Sequence, residues 1–331
     1  KGLPSTVAGD THYASLWARQ GLERQLALLE VAFLLYYGRL SPSAAFLADI
    51  LECVHRTQFG QRQANASLFD TDAHAKCRCI RDLLLFLAIE CLNLEAALDV
   101  VPEGIAAPDD AALAPLATDP DALERCLVQL EKAASDVAYA PLLLSFALVL
   151  RRLDEVGSHT PLEPRLAATL DVVDHGPQIW RRLLQGAFDP SMQLFDTLHS
   201  LVTSPLLRTA TRALGASNLS ALAYRAVFKG LLLTITELVQ PEYLPDLDPL
   251  VDLWCLTFRA MPGDVPDGIA ALCTQFWTQD IQYPTRASLL DTVRRRFPAS
   301  FLPLVRLAHA LSGTAPDAPS PDTVTAMMNA L

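Results

Sequence analysis

The chain has 331 residues, of which 51% are hydrophobic, and it carries a formal net charge of −11. This length exceeds what one compact core usually fills, so two domains or an elongated array are both open. The acidic balance disfavours nucleic acid and anionic lipid as direct partners, because basic surfaces bind phosphate groups.

Helix starts recur along the sequence as a Ser or Asp followed directly by Pro at the head of an apolar run. The five pairs are Ser41-Pro42, Asp119-Pro120, Asp189-Pro190, Ser204-Pro205 and Ser320-Pro321. The Ser or Asp side chain can accept a hydrogen bond from the first turn, and Pro at the first helical position lacks only an N–H that would stay unbonded. Each pair therefore predicts the beginning of a helix.

The first part of the chain shows apolar residues three or four positions apart, a spacing typical of helices. It predicts helices over about 14–37, 43–58 and 73–98, with a polar loop over 59–72. Because Ile80 to Leu94 is apolar on most sides, we expect neighbours to cover that section on more than one face.

A segment rich in Pro, Ala and acidic residues over 99–118 predicts a linker or loop between residues 1–98 and 119–331. Short gaps separate the helices that follow, so neighbours are expected to pack antiparallel. These helices are predicted over about 120–135, 139–156, 164–185, 190–202, 205–214, 218–240, 248–260, 266–279, 285–297, 299–312 and 321–331.

The sequence contains no convincing strand alternation, no hairpin turn between such runs and no fixed-period repeat. We therefore predict an all-α fold. Helices that are apolar nearly all round favour an irregular α-solenoid of antiparallel helical hairpins, HEAT/ARM-like in its stacking, over the alternative of two globular bundles. The chain begins at Lys1 without a Met, which predicts a piece of a longer protein.

Charged residues interrupt the longest apolar run, from Leu219 to Gln240, at Arg225, Lys229 and Glu237. A bilayer span contains few or no charges, so we expect a buried helix and no transmembrane segment. Basic residues cluster elsewhere, and we interpret them as solvent-exposed or as complementing helix dipoles, with a patch for an anionic partner as the alternative. These clusters are Arg151-Arg152, Arg181-Arg182 and Arg294-Arg295-Arg296.

Seven cysteines, an odd number set mostly in apolar runs, predict buried free thiols. They are Cys53, Cys77, Cys79, Cys91, Cys126, Cys255 and Cys273. His74, Cys77 and Cys79 form the one cluster that resembles metal ligation. Cys-x-Cys on a helix points its thiols to different faces, so we predict no zinc site and no cofactor.

Catalytic signatures are also missing from the sequence: there is no nucleophile elbow, phosphate loop or dinucleotide-binding turn. Asp109-Asp110 has no third acid one turn on, which disfavours a prenyl-diphosphate enzyme, and Asp70, Asp72 and His74 fit a polar loop. We predict no catalytic residue and therefore no enzyme. The four tryptophans are expected in the core, with partner anchoring as the alternative: Trp17, Trp180, Trp254 and Trp277.

Three stretches resemble the N-terminal region of large inner-ring nucleoporins, of the fungal nucleoporin 188 type and its paralogue nucleoporin 192. They are LERQLALLEVAFLLYYG over 22–38, CIRDLLLFLAIECLNL over 79–94 and VFKGLLLTITELVQPEY over 227–243. The resemblance implies a karyopherin-like α-solenoid and a structural scaffold of the nuclear pore complex at the nuclear envelope. It also implies binding of linker nucleoporins in support of nucleocytoplasmic transport.

The sequence contains no recognisable partner-binding motif, so the residues that bind such partners are unknown from the sequence. Two other classes remain open. One is a different helical-repeat adaptor, such as a transport receptor or a vesicle-tethering subunit. The other is an all-α enzyme, which would need a polar cavity with convergent acids or histidines.

Overall fold

The computed structural model describes residues 10–38, 40, 42–99, 119–132, 136–157, 178–208, 218–259, 266–283, 285–313 and 327. Over these ranges the chain forms α-helices and short 3-10 helices and contains no strand, which confirms the all-α prediction. The α-helices are α1 (Thr11–Gly38), α2 (Ala44–Thr57), α3 (Thr71–Glu90), α4 (Leu94–Asp99), α5 (Pro120–Lys132), α6 (Ala140–Gly157), α7 (Ile179–Ala187), α8 (Leu194–Val202), α9 (Asn218–Leu238), α10 (Asp248–Phe258), α11 (Pro266–Thr278), α12 (Ser288–Arg295) and α13 (Leu302–Leu311).

Two of the predicted helix starts act as caps. Asp119 accepts a hydrogen bond from the backbone N–H of Ala122 at 3.0 Å, at the start of α5. Asp189 accepts one from Ser191 at 2.8 Å, but the helix it begins is a 3-10 turn, Pro190–Met192. Gln193 follows in the left-handed conformation and separates this turn from α8. The single helix predicted over 190–202 is therefore wrong.

The other three Ser-Pro pairs do not cap the helices that were predicted to begin there, or lie outside the described residues. Ser43, two residues after Ser41, is the N-cap of α2, because its side chain accepts from the backbone N–H of Phe46. Ser204 makes no cap bond; it is buried, and its hydroxyl donates to Oδ2 of Asp82 at 2.6 Å. Ser320-Pro321 and its predicted helix lie outside the described residues, apart from Met327.

The third predicted helix is interrupted. α3 ends at Glu90, and Asn93 adopts φ 51° before α4 begins at Leu94, so one continuous helix over 73–98 is wrong. A non-glycine residue with positive φ cannot continue a right-handed helix. The apolar section of α3 is buried all round, as expected, since it packs against α1, α2, α6 and α9.

Helices close in sequence pack together, as α6 does with α7, while α9 also contacts α1, α3, α4 and α6. Tyr224 of α9 lies 4.4 Å from the ring of Phe33 and 5.2 Å from that of Phe86, centroid to centroid. A strictly sequential array contacts only neighbouring repeats, so these distant contacts make α9 a central helix. The solenoid arrangement stays a prediction.

One cluster of buried apolar side chains extends from Leu22 to Leu311 and includes residues on both sides of the predicted linker. The linker itself, 99–118, lies outside the described residues except for Asp99. Its role as a domain boundary stays a prediction.

Candidate functional site

An open apolar groove lies where α9, α10 and α12 meet. Its volume is about 170 Å³, and the connection between α9 and α10 forms one wall. The groove is lined by Thr236, Val239, Leu244, Leu247, Leu250, Ser288, Leu289, Thr292 and Arg296. Five of these nine residues are leucine or valine, which suits an apolar side chain from another molecule.

The hydroxyl groups of the groove are engaged within the protein. Ser288 Oγ donates to the backbone oxygen of Thr236 at 3.2 Å and so joins α12 to α9. Thr236 and Thr292 each donate to a carbonyl one turn earlier in their own helix, at 2.8 and 2.7 Å. The first of these bonds joins α12 to α9, and together they use the hydroxyl protons of all three side chains.

A basic edge borders the groove. Arg296 follows α12 directly and lines the groove, while Arg294 and Arg295 belong to the last turn of the helix. All three side chains are exposed, which confirms the prediction that these cations lie in solvent at a helix end. The site therefore combines an apolar floor with a positive rim.

The charges that interrupt the apolar run of α9 are paired in the interior. Nζ of Lys229 lies 3.0 Å from Oδ2 of Asp280, and Oδ1 of Asp280 lies 3.4 Å from Arg286. Arg286 also forms a salt bridge with Glu237, and Glu237 forms one with Arg152 of α6. Glu155 lies 3.0 Å from Arg152 and 3.1 Å from Arg151, which extends this ionic network. Opposite charges alternate along the network, which offsets the cost of removing each from water.

Arg225 has a different role on the same helix. Its guanidinium donates to the backbone oxygen of Leu207 at 3.0 Å and to that of Thr257 at 2.9 Å. These carbonyls belong to the last turns of two helical segments, so the buried cation complements the negative end of α10 in particular. The prediction that Arg152 is exposed is wrong, because its side chain is buried and pairs with the carboxylate of Glu237.

A polar cavity of about 350 Å³ adjoins the ionic network, with Glu95, Tyr283 and Arg286 among its lining residues. The guanidinium of Arg286 lies 4.1 Å from the ring centroid of Tyr283, a cation–π contact. The cavity wall also includes Lys229 and Asp280, which bind each other. Its charges thus hold helices together.

Six of the seven cysteines are buried and all seven are free thiols, which confirms the prediction except for exposed Cys53. Burial raises the pKa of Cys79 to about 11 and those of Cys91, Cys126 and Cys273 to about 12. A thiolate is the reactive and metal-binding form, so these thiols are inert near neutral pH.

The residues around His74 cap and connect helices. Asp70 accepts from the backbone N–H of Ala73 at 2.8 Å and pairs with Arg19 of α1 at 2.5 Å. The cap bond and the arginine lower the pKa of Asp70. Over the described residues, no three His, Cys, Asp or Glu side chains are grouped to hold a metal ion.

The tryptophans lie mainly in the core: Trp180, Trp254 and Trp277 are buried, and Trp17 is partly buried. Asp109-Asp110 lies outside the described residues. The groove was not predicted from the sequence. Leu244 and Leu247, the apolar residues on either side of Pro245, were a usable signal for it. They stand in a Pro-interrupted connection where exposed polar residues are usual.

Over the described residues the protein is all-helical, with a buried apolar core and an apolar groove at its surface. None of the described helices is both long and apolar enough to cross a bilayer. Comparison with protein-family models gives no match, and comparison with curated proteins gives none either.

Proposed function

We propose that this protein is a structural scaffold that holds short segments of other proteins in the groove between α9, α10 and α12. The groove carries the proposal, because its apolar floor and fixed walls fit side chains of an extended or helical segment. The exposed arginines at its edge favour a segment in which acidic residues flank the apolar ones.

The resemblance over 22–38, 79–94 and 227–243 gives the scaffold its proposed setting. There the protein is an inner-ring nucleoporin of the nuclear pore complex, its partners are linker nucleoporins, and it supports nucleocytoplasmic transport. An irregular, karyopherin-like α-solenoid would place such grooves along its length. We expect small-angle scattering of the purified chain to show an elongated particle, and a compact sphere would contradict the solenoid.

Binding is tested with the tagged full-length protein, whose recovered partners are identified by mass spectrometry. We expect nucleoporins, and peptides from them that join apolar and acidic residues should bind with at least tenfold lower affinity to Arg296→Glu. Arg62→Glu, exposed elsewhere, is the matched control. Unchanged binding by Arg296→Glu would remove the groove as the site. Recovery of transport cargo or tether subunits without nucleoporins would favour the adaptor class.

A further inference from the structure

Four large apolar side chains lie exposed where α12 connects to α13. Phe297 and Phe301 are 49% and 58% exposed, and Leu302 and Val305 on the first turn of α13 are 63% and 41% exposed. The two phenylalanine rings lie 6.0 Å apart, centroid to centroid. The backbone N–H of Val305 donates to the carbonyl of Phe301, so these two residues are neighbours one turn apart. We call the four residues the aromatic patch.

The patch lies on a face of α13 that the described part of the chain does not bury. The buried face of the helix contains Leu307, Ala310 and Leu311, and α13 packs against α10 and α12. Apolar side chains grouped at the surface, beyond those that the core needs, indicate a site for another molecule.

A local positive charge adjoins the patch, because Phe297 follows directly after the three arginines of the basic edge, 294–296. The end of a helix carries the equivalent of only about −0.5 charge, so one arginine would balance that of α12. Among the residues that the structure describes, no carboxylate lies within 4.0 Å of the three guanidinium groups, Asp291 one turn earlier included. Positive charge is therefore left for a partner.

The surrounding sequence has the same character. Residues 292–316 contain four arginines and no Asp or Glu, although the chain has 37 acidic residues and a net charge of −11. The one arginine of this stretch outside the basic edge, Arg306, pairs with Asp252 at 2.5 Å. The basic edge is thus a positive surface on an acidic protein, and acidic residues complement it.

The shape of the patch favours a helix as its occupant. The patch lies on the outer side of a helix, where the side-chain ridges of a second helix can pack between its own. Extended segments are bound by sheet edges or grooves. The described residues contain no strand, and none of the four patch residues lines the groove between α9, α10 and α12.

We propose that the aromatic patch and the basic edge together bind an acidic amphipathic helix of another protein. The apolar face of that helix covers Phe301 and Leu302, and its acidic residues pair with the arginines. A membrane of anionic lipids fits less well, because a flat bilayer would meet the charge of the whole acidic chain, whereas a single helix meets only the positive surface. The patch lies outside the groove, so this contact is additional to the function proposed above.

Fluorescence anisotropy with a labelled synthetic helix measures the binding to the purified chain. The probe is a peptide of about five turns with leucine on one face and glutamate on the other. A second peptide has lysine in place of every glutamate. We expect the glutamate peptide to bind, and the lysine peptide to bind at least about tenfold more weakly. Equal affinities, or no binding of the glutamate peptide, would overturn the proposal.

Ionic strength tests the charge pairing separately. The exposed arginines are screened as salt is added, since the Debye length falls from about 10 Å at 0.1 M to about 3 Å at 1 M. We expect the affinity for the glutamate peptide to fall over this range. An affinity that rises with salt would show that apolar contact alone holds the peptide and would contradict the part assigned to the basic edge.

Substitutions locate the binding surface. Phe301→Ser/Leu302→Ser and, separately, Arg295→Glu should each weaken binding of the glutamate peptide at least about tenfold. Leu28→Ser is the matched control, because this leucine of α1 is 71% exposed and lies outside the patch. Leu247→Ser, in the groove, should also leave the affinity unchanged, which keeps this test independent of the proposed function.

The substituted residues of the patch are exposed, so we expect the fold to stay intact, and circular dichroism checks this. Unchanged binding by both patch variants, or an equal loss in Leu28→Ser, would overturn the proposal. Two further measurements identify a different occupant. Cosedimentation with vesicles of phosphatidylcholine and phosphatidylserine, or dimerisation of the chain alone, would also overturn it if Phe301→Ser/Leu302→Ser abolished that association.

Discussion

Lys229 lies almost wholly inside the protein, 1% exposed, on a helix where Phe228 precedes it and three buried leucines follow at 231–233. Its ammonium group is stable there because Asp280 accepts from it, and Asp280 in turn pairs with Arg286. At the residue scale, the buried charge of Lys229 is stabilised by an opposite charge, whereas the buried guanidinium of Arg225 is stabilised by backbone carbonyls. The pair mainly specifies which helices meet.

Removing one partner should therefore be costly. We expect Lys229→Met to lower the free energy of unfolding by about 3–5 kcal/mol, because Asp280 keeps its charge in the interior with one partner fewer. Arg306→Met is the control, since it breaks a pair with Asp252 that is nearly half exposed. Its cost should stay below about 1 kcal/mol. Urea denaturation measures both, and equal losses would contradict the role assigned to burial.

We expect the stability of the protein to depend on pH through Glu90. Burial, and secondarily the charge of Glu95, raises the pKa of Glu90 from 4.5 to about 7. The folded state thus binds this proton more tightly than the unfolded state. Its stabilising contribution is complete below pH 4.5 and is lost as the pH rises towards 7.

Glu90→Gln, which resembles the protonated form, should remove that loss. At pH 8 we expect it to raise the free energy of unfolding by up to about 3 kcal/mol, and at pH 4 to change it little. Urea denaturation at both pH values checks this, with Glu52→Gln, exposed on α2, as the control. A gain of equal size at pH 4 would show that desolvation of the charge is not its cause.

Element boundaries depend on short-range bonds that composition only partly indicates. α2 begins after Ser43, whose side chain accepts from Phe46 N–H at 3.2 Å, although the Ser-Pro pair two residues earlier has the stronger sequence signal. Ser204 has that signal too, yet its hydroxyl bonds to buried Asp82. A Ser side chain that could cap a helix thus forms its hydrogen bond with whichever donor or acceptor the fold places beside it.

The cap of α2 can be tested directly. Ser43→Ala should cost about 1 kcal/mol of stability through loss of the cap bond, and Ser43→Asp should restore most of it. Ser41→Ala serves as the comparison and should have little effect. Thermal unfolding followed by circular dichroism gives the three values. A larger loss of stability from Ser41→Ala than from Ser43→Ala would show that Ser41, not Ser43, caps α2.

On the scale of the whole molecule, α9 connects parts of the chain that are far apart in sequence. Ser220 donates to Glu30 of α1 at 2.6 Å, and Tyr224 packs between Phe33 and Phe86. Residues on both sides of the predicted linker thus share one core. We expect the two sides to unfold cooperatively, because they share buried apolar surface.

Calorimetry of the chain should therefore show one unfolding transition. Phe33→Ala removes a fully buried ring and should cost about 3–5 kcal/mol, lowering the midpoint of that single transition. Leu16→Ala, at an exposed leucine of the same helix, is the control and should shift it little. Two transitions, with only one sensitive to Phe33→Ala, would show that 1–98 and 119–331 unfold as separate domains.

Much of the secondary structure could be predicted from the sequence. Apolar spacing of three or four residues is a local property, and it correctly indicated α1, α2, α9 and α10 to within a few residues. The same spacing did not indicate the break at Asn93 or the left-handed Gln193. Each is a single-residue departure from helical backbone that a periodic pattern does not record.

What the sequence determined by itself is an all-helical protein with buried thiols, because periodicity and side-chain polarity act over a few residues. The contacts of Arg152 with Glu237, of Lys229 with Asp280 and of Ser204 with Asp82 span 51 to 122 residues, so only the packing of the helices brings these groups together. It also decided which apolar residues stay at the surface, in the groove and on α1. Burial depends on which helices meet, and that is a property of the whole chain.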